Sequence, residues 1–142
     1  MRLWIALLLT LPLVSAAEAR PRAHAAGGGE KSCKKAVTLT GACRMVKGSL
    51  GLTQGLGVTL NADDGTKILI KAPADTNADI APNVMQNWLY WQSQTNSMQT
   101  RILGTFEVCP LPPALNPAGI KDSACINNAT RITVDKSTVP AK

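Results

Sequence analysis

The chain reads as a small, mainly β domain of five strands, with one helix between the third and fourth and two disulfides. Three observations predict this. Apolar and polar residues alternate with period two in several short stretches. Only residues 84–94 carry the 3.6-residue period of an amphipathic helix. The four cysteines are even in number and follow a leader of the secretory type, so they are expected to pair.

The leader is residues 1–19. Arg2 gives it a positive start, Leu3 to Val14 form an apolar run, and Ala17-Glu18-Ala19 fits the small-x-small cleavage pattern. Cleavage is expected before Arg20, with Glu18 as the second choice. A retained anchor would need a longer apolar segment. The expected address is therefore the periplasm or the outside of the cell. Residues 20–34 read as a flexible lead-in, 35–136 as the folded domain and 137–142 as a frayed tail.

Within the domain, Val37, Leu39, Cys43 and Met45 alternate with Thr38, Thr40 and Arg44 as a half-buried first strand does. Gly48 to Gly57 has little side chain to pack and reads as a link. Val58 and Leu60 lead into Asp63-Asp64-Gly65, and Thr66 to Lys71 lead out. Asp-Gly between two apolar runs is a hairpin signal, because glycine tolerates the positive φ of the turn.

Residues 72–83 are loop-like. Val84, Trp88 and Trp91 then fall on one helical face, flanked by Met85 and Leu89, with Tyr90 on the opposite side. Thr100 to Cys109 gives a fourth strand with Ile102, Phe106 and Val108 facing inward. Pro110, Pro112, Pro113 and Pro117 mark 110–119 as a stiff loop. Ala129 to Asp135 is the last strand, with Ile132 and Val134 inward.

The order of elements, with Thr100-Arg101-Ile102-Leu103-Gly104-Thr105-Phe106-Glu107 as a fourth strand and Val37-Thr38-Leu39-Thr40-Gly41 as a first, resembles the OB-fold, a five-stranded Greek-key barrel. The resemblance spans residues 35–136. It is similar in plan to small exported bacterial OB proteins and, more loosely, to the B subunits of pentameric bacterial toxins. Its motifs speak for fold and carry no receptor-binding residues over to this chain.

Four cysteines allow three pairings. A straight strand would hold Cys33 and Cys43 about 30 Å apart at about 3.3 Å per residue, beyond disulfide reach. The barrel resemblance brings the start of the first strand near the end of the fourth, which favours Cys33 with Cys109 or Cys125. A sharp bend at Gly41 would restore the local pairing, so the connectivity stays open.

No catalytic set emerges. His24 is the single histidine and sits in the lead-in, which leaves no Ser-His or Cys-His arrangement. Asp75-Thr76-Asn77-Ala78-Asp79 begins like a calcium loop but has Ile80 in place of the sharp-turn glycine and Gln86 in place of the bidentate Glu. It reads as a polar turn before the helix. Asp63 and Asp64 read as exposed turn residues. Neither a cofactor nor a metal is expected.

The formal charge is +6, and a basic exported protein favours anionic partners: an acidic glycan, a lipid headgroup or an acidic protein face. Nucleic acid is not expected, from the address and from the lack of stacking aromatics on the strands. The candidate contact residues are Tyr90 on the outer side of the helix and Lys67, Lys71, Arg101 and Arg131, which take outward parity on their strands. Asn128-Ala129-Thr130 is a glycosylation sequon for a host that modifies it.

The expectation is a non-enzymatic exported binding module. The alternatives are an oligomeric glycan-binding subunit of toxin type and a small envelope-stress or inhibitor protein.

Overall fold

The computed structural model describes residues 32–113, 116, 117 and 119–141; the leader 1–19 and the lead-in up to residue 31 lie outside them. Five strands, β1 (Arg44–Thr53), β2 (Gly57–Ala62), β3 (Lys67–Ile70), β4 (Ile102–Leu111) and β5 (Asp122–Val134), close into a barrel in the order β1-β2-β3-β5-β4. All neighbours are antiparallel except β3 and β5. The helix α1 (Pro82–Thr95) connects β3 to β4. The predicted class, mainly β with five strands in a barrel, a helix between the third and fourth and two disulfides, is the one observed.

Inward positions follow the pleat. Leu50 lies opposite Leu60 and Ile102, and Val46 opposite Phe106. With Ile68, Val108 and Ile126 these side chains fill the barrel, most of them with no exposed surface. Helix α1 closes the end where β1 finishes and β4 begins, placing Val84 and Trp88 in the same core. The Trp88 indole N–H donates to the Thr100 carbonyl at 2.9 Å, so its polar edge is satisfied where its rings are buried. The hairpin is where it was expected, with Gly65 at φ 90° in the turn. No described helix is long and apolar enough to cross a membrane.

The first strand is the main correction. It runs through the glycine-rich stretch that reads as a link, while most of the alternating segment 37–45 lies outside the barrel, with Val37 and Met45 exposed. The glycines are there for close approach. A side chain on Gly48 would collide with the backbone of Asn61 and Ala62, and one on Gly51 with the Arg101 side chain. Missing side chains here let strands and a guanidinium pack together, which looks like an unstructured link in one dimension.

Three smaller differences follow. Strand β4 runs on through Pro110, which pairs with Ala124 beyond the point where β1 begins, so no ladder N–H is needed from it on that side. Strand β5 starts at Asp122 rather than Ala129 because a continuous buried run, Ser123 to Ile126, replaces alternation. Lys136–Thr138, placed by sequence at the edge of the tail, form a 3-10 turn whose Thr138 hydroxyl oxygen accepts the Arg101 backbone N–H at 2.9 Å.

The disulfides are Cys33–Cys125 and Cys43–Cys109. Both fix residues 33–43 as a strap on the outside of β4 and β5, where Leu39 packs with Leu111 and the cysteines in a second small cluster. Asp75 holds the strap from the other side, accepting from the Val37 N–H and the Thr38 hydroxyl.

Candidate functional site

Beyond the strap, the outer face of β1, β4 and β5 exposes Lys47, Leu103, Arg131 and Thr133 among the described residues. There Lys47, Gly48, Asp63, Leu103, Gly104, Thr105, Arg131 and Thr133 line a hollow of about 410 Å³, the largest among those described.

Arg131 owes its position to a bulge. Thr133 pairs with Leu103 and Thr130 with Thr105, so Arg131 and Ile132 together face the single residue Gly104. The extra residue is accommodated by a left-handed backbone at Arg131, φ 56°, a conformation that costs a non-glycine residue about 1–3 kcal/mol. The guanidinium at the rim is exposed and has no hydrogen-bond or ion-pair partner among the described residues. Lys47 stands on the other wall, loosely paired with Asp63 at 3.8 Å, both side chains largely in water. Thr105 and Thr133 bring hydroxyls, and Leu103, about two-fifths exposed, adds an apolar contact.

The hollow thus carries two cations and one carboxylate around hydroxyls, a set suited to holding an anionic, hydroxyl-rich group. Glu107, next along β4, is withdrawn from it. The Lys34 ammonium donates to Glu107 at 2.8 Å and the Asn127 amide at 2.6 Å. Those two hydrogen bonds, the Lys34 one foremost, hold its carboxyl below the ordinary carboxylate range.

The other candidate residues fall elsewhere. Lys67 begins β3 and Lys71 follows it, on the part of the barrel where β3 pairs with β2 and the start of β5. Tyr90 is exposed on α1, edge-on to Trp91 at 5.2 Å. Lys67, Lys71, Arg101 and Arg131 do not share one exposed surface, since Arg101 is buried.

Arg101 is the clearest departure, being 93 % shielded from solvent although it lies on the outer side of β1. It precedes β4 and crosses over Gly51. Its Nε donates to the Ser49 hydroxyl, Nη1 to the Leu52 carbonyl and Thr53 hydroxyl, and Nη2 to the carbonyls of Ser49 at 2.6 Å and Thr59 at 2.9 Å. Its counter-ion is reached through Ser49, whose hydroxyl donates to Asp135 at 2.8 Å. Burial lowers the Arg101 pKa against the opposing charge of Asp135. Burial also works against ionised Asp135, but hydrogen bonds from Ser137 and Ser49, with Arg101, outweigh it and bring its pKa down. Arg101 is a structural bolt.

Lys47 and Thr105 were missed as site residues. Their signal is weak: outward parity opposite one another becomes visible only once β1 is placed on Arg44–Thr53.

Asn128 of the sequon sits exposed on β5, its side-chain oxygen accepting from Asn83. The one described group of three residues with metal-ligand chemistry is Cys33, Cys109 and Cys125, all spent in disulfides.

Comparison with protein-family models, with curated proteins and with solved structures found no match to this chain.

Proposed function

We propose that the chain is an exported, non-enzymatic binding module of OB type, and that its open outer face takes an anionic carbohydrate. The carrying observation is Arg131, a cation with no partner among the described residues, held in a costly left-handed backbone at the rim of the hollow that Lys47, Thr105 and Thr133 also line. Strained positions persist where the fold over-determines them, and they concentrate at binding sites. The two cations suit a carboxylate or sulfate, the threonine hydroxyls suit sugar hydroxyls, and Leu103 suits the apolar face of a sugar ring.

Export is supported by the leader and by two disulfides, which are compatible with an oxidising compartment. The non-enzymatic reading is supported by the single histidine, placed far from the barrel in sequence.

Titration of the oxidised protein with uronic-acid and sulfated oligosaccharides tests the reading. Binding is expected, weakening as salt rises because the contact is between exposed charges, and lost in Arg131→Gly. Equal affinity for neutral sugars, or full binding by Arg131→Gly, would overturn it. The toxin-like alternative is separated by solution mass, since it requires a ring.

A further inference from the structure

The two disulfides do not stand apart. Cys109 and Cys125 face each other directly in the β4–β5 register although neither is bonded to the other. The Sγ atoms of Cys33, Cys109 and Cys125 all lie within 4.8 Å of one another. These three residues are buried, at 2 % exposure or less, whereas Cys43 is partly open to solvent. Cys43 is therefore the one residue of the four that solvent partly reaches.

We propose that Cys43 is the entry point of a thiol-exchange relay that ends with release of Cys33 and of the strap 33–43. Exchange proceeds by attack of a thiolate on a disulfide sulfur, and access selects which sulfur is attacked. A small external thiolate, such as reduced glutathione, attacks Cys43 Sγ. The Cys43–Cys109 bond breaks, and Cys109 leaves with the electron pair while Cys43 carries the mixed disulfide. The Cys109 thiolate then attacks Cys125 Sγ, its cross-strand neighbour. A Cys109–Cys125 bond forms, the Cys33–Cys125 bond breaks, and Cys33 leaves as a thiolate that takes up a proton.

One thiol is consumed and one is produced, and two disulfides remain. The product keeps β4 and β5 joined but leaves the strap with no disulfide to the barrel, tied covalently only by its chain continuation into β1 at Arg44. Its remaining holds are the packing of Leu39 with Leu111 and a few polar contacts: Lys34 to Glu107 and Asn127, Asp75 to Val37 and Thr38, and the Thr40 N–H donating to the Pro110 carbonyl. The relay stands whatever ligand the open face takes.

The test is disulfide mapping of the native oxidised protein after brief exposure to reduced glutathione, acid quench and alkylation of free thiols. The expected product carries glutathione on Cys43, an alkylated Cys33 and a peptide linked through Cys109–Cys125. An alkylated Cys109 with Cys33–Cys125 intact would overturn the relay, as would a folded protein in which Cys43 takes no glutathione.

In Cys43→Ser the Cys109 thiol is free from the outset. The oxidised variant is expected to divide between Cys33–Cys125 and Cys109–Cys125 without added thiol. Exclusive Cys33–Cys125 in that variant, folded by circular dichroism, would also overturn the proposal. Should it fail to fold, the native mapping still decides.

Discussion

The two ends of the barrel are held by opposite means. Where β1 finishes, a fourteen-residue helix buries Val84 and Trp88, and a guanidinium binds the backbones of β1 and β2 together from the outside. Where β1 begins, an eleven-residue strap is held by two covalent bonds and a handful of polar contacts. The difference follows from apolar surface. The helix offers a large aromatic and a β-branched side chain to the main core, whereas the strap contributes little beyond Cys33, Ala36 and Leu39 and leaves Val37 in water. A short segment that buries so little cannot offset the entropy of ordering its backbone. The open hollow lies on the face between these two closures.

The strongest test of the comparison is at the buried end. Arg101→Ala removes the donor from three backbone carbonyls and leaves Asp135 without its cation. A loss of about 3–5 kcal/mol is expected, the range for breaking a buried charge network by removing one partner. Arg101→Lys should fall between, because one ammonium cannot span the acceptors that the planar fork reaches. Urea unfolding measures both. A loss under about 1 kcal/mol for the alanine variant, the level of an exposed pair, would mean the guanidinium only fills space.

At the strapped end, the paired substitution Cys33→Ser with Cys125→Ser should cost about 2–5 kcal/mol. The loop it opens spans 92 residues of sequence. The loss should come with faster hydrogen exchange across the strap and little change at α1. Equal loosening of both ends would contradict the division drawn between them.

Between the ends, Arg131→Gly should separate stability from binding. Glycine accepts the left-handed backbone without the steric cost of a side chain, although it raises the entropy of the unfolded chain. Stability is expected to hold or rise by up to about 1 kcal/mol, while anion binding is lost. A clear fall in stability would show that the arginine side chain holds the bulge rather than serving a ligand.

The contrast between the ends also marks what the sequence discloses. The helix announces itself through Val84, Trp88 and Trp91 at helical spacing, and the hairpin through Asp63-Asp64-Gly65, because both signals are local. Strand β1 hides because Gly48 and Gly51 earn their places by what lies across from them, Asn61 and Arg101, far away in the chain. Arg101 misleads for the same reason: outward parity on a strand normally means water, but here the side chain lies across Gly51 and spends its donors on β1 and β2 carbonyls.

The disulfide partners were narrowed by the barrel resemblance and decided only by the three-dimensional placement of Cys125. Arg131 was identifiable as an exposed cation. Its bulge was not, since a bulge depends on the register of two strands and leaves no mark in either alone.

The smallest expected effect is electrostatic and lies where the strap meets the open face. The Glu107 carboxyl is depressed below its ordinary pKa, first by the hydrogen bond from Lys34 and then by that from Asn127, against a small opposing effect of burial. A depressed carboxylate binds fewer protons folded than unfolded, so its stabilisation is fully present above the unfolded pKa. It is lost as pH falls through the folded pKa.

The Lys34 side chain is 58 % exposed, so solvent screening limits the contribution to about 0.2–1 kcal/mol. Lys34→Ala should therefore lower stability by that amount at neutral pH. The difference from the parent protein should shrink in acid and disappear once Glu107 is protonated in both. Unfolding midpoints across an acid titration measure this. A deficit that persisted in acid would place the role of Lys34 in packing of the strap rather than in its charge.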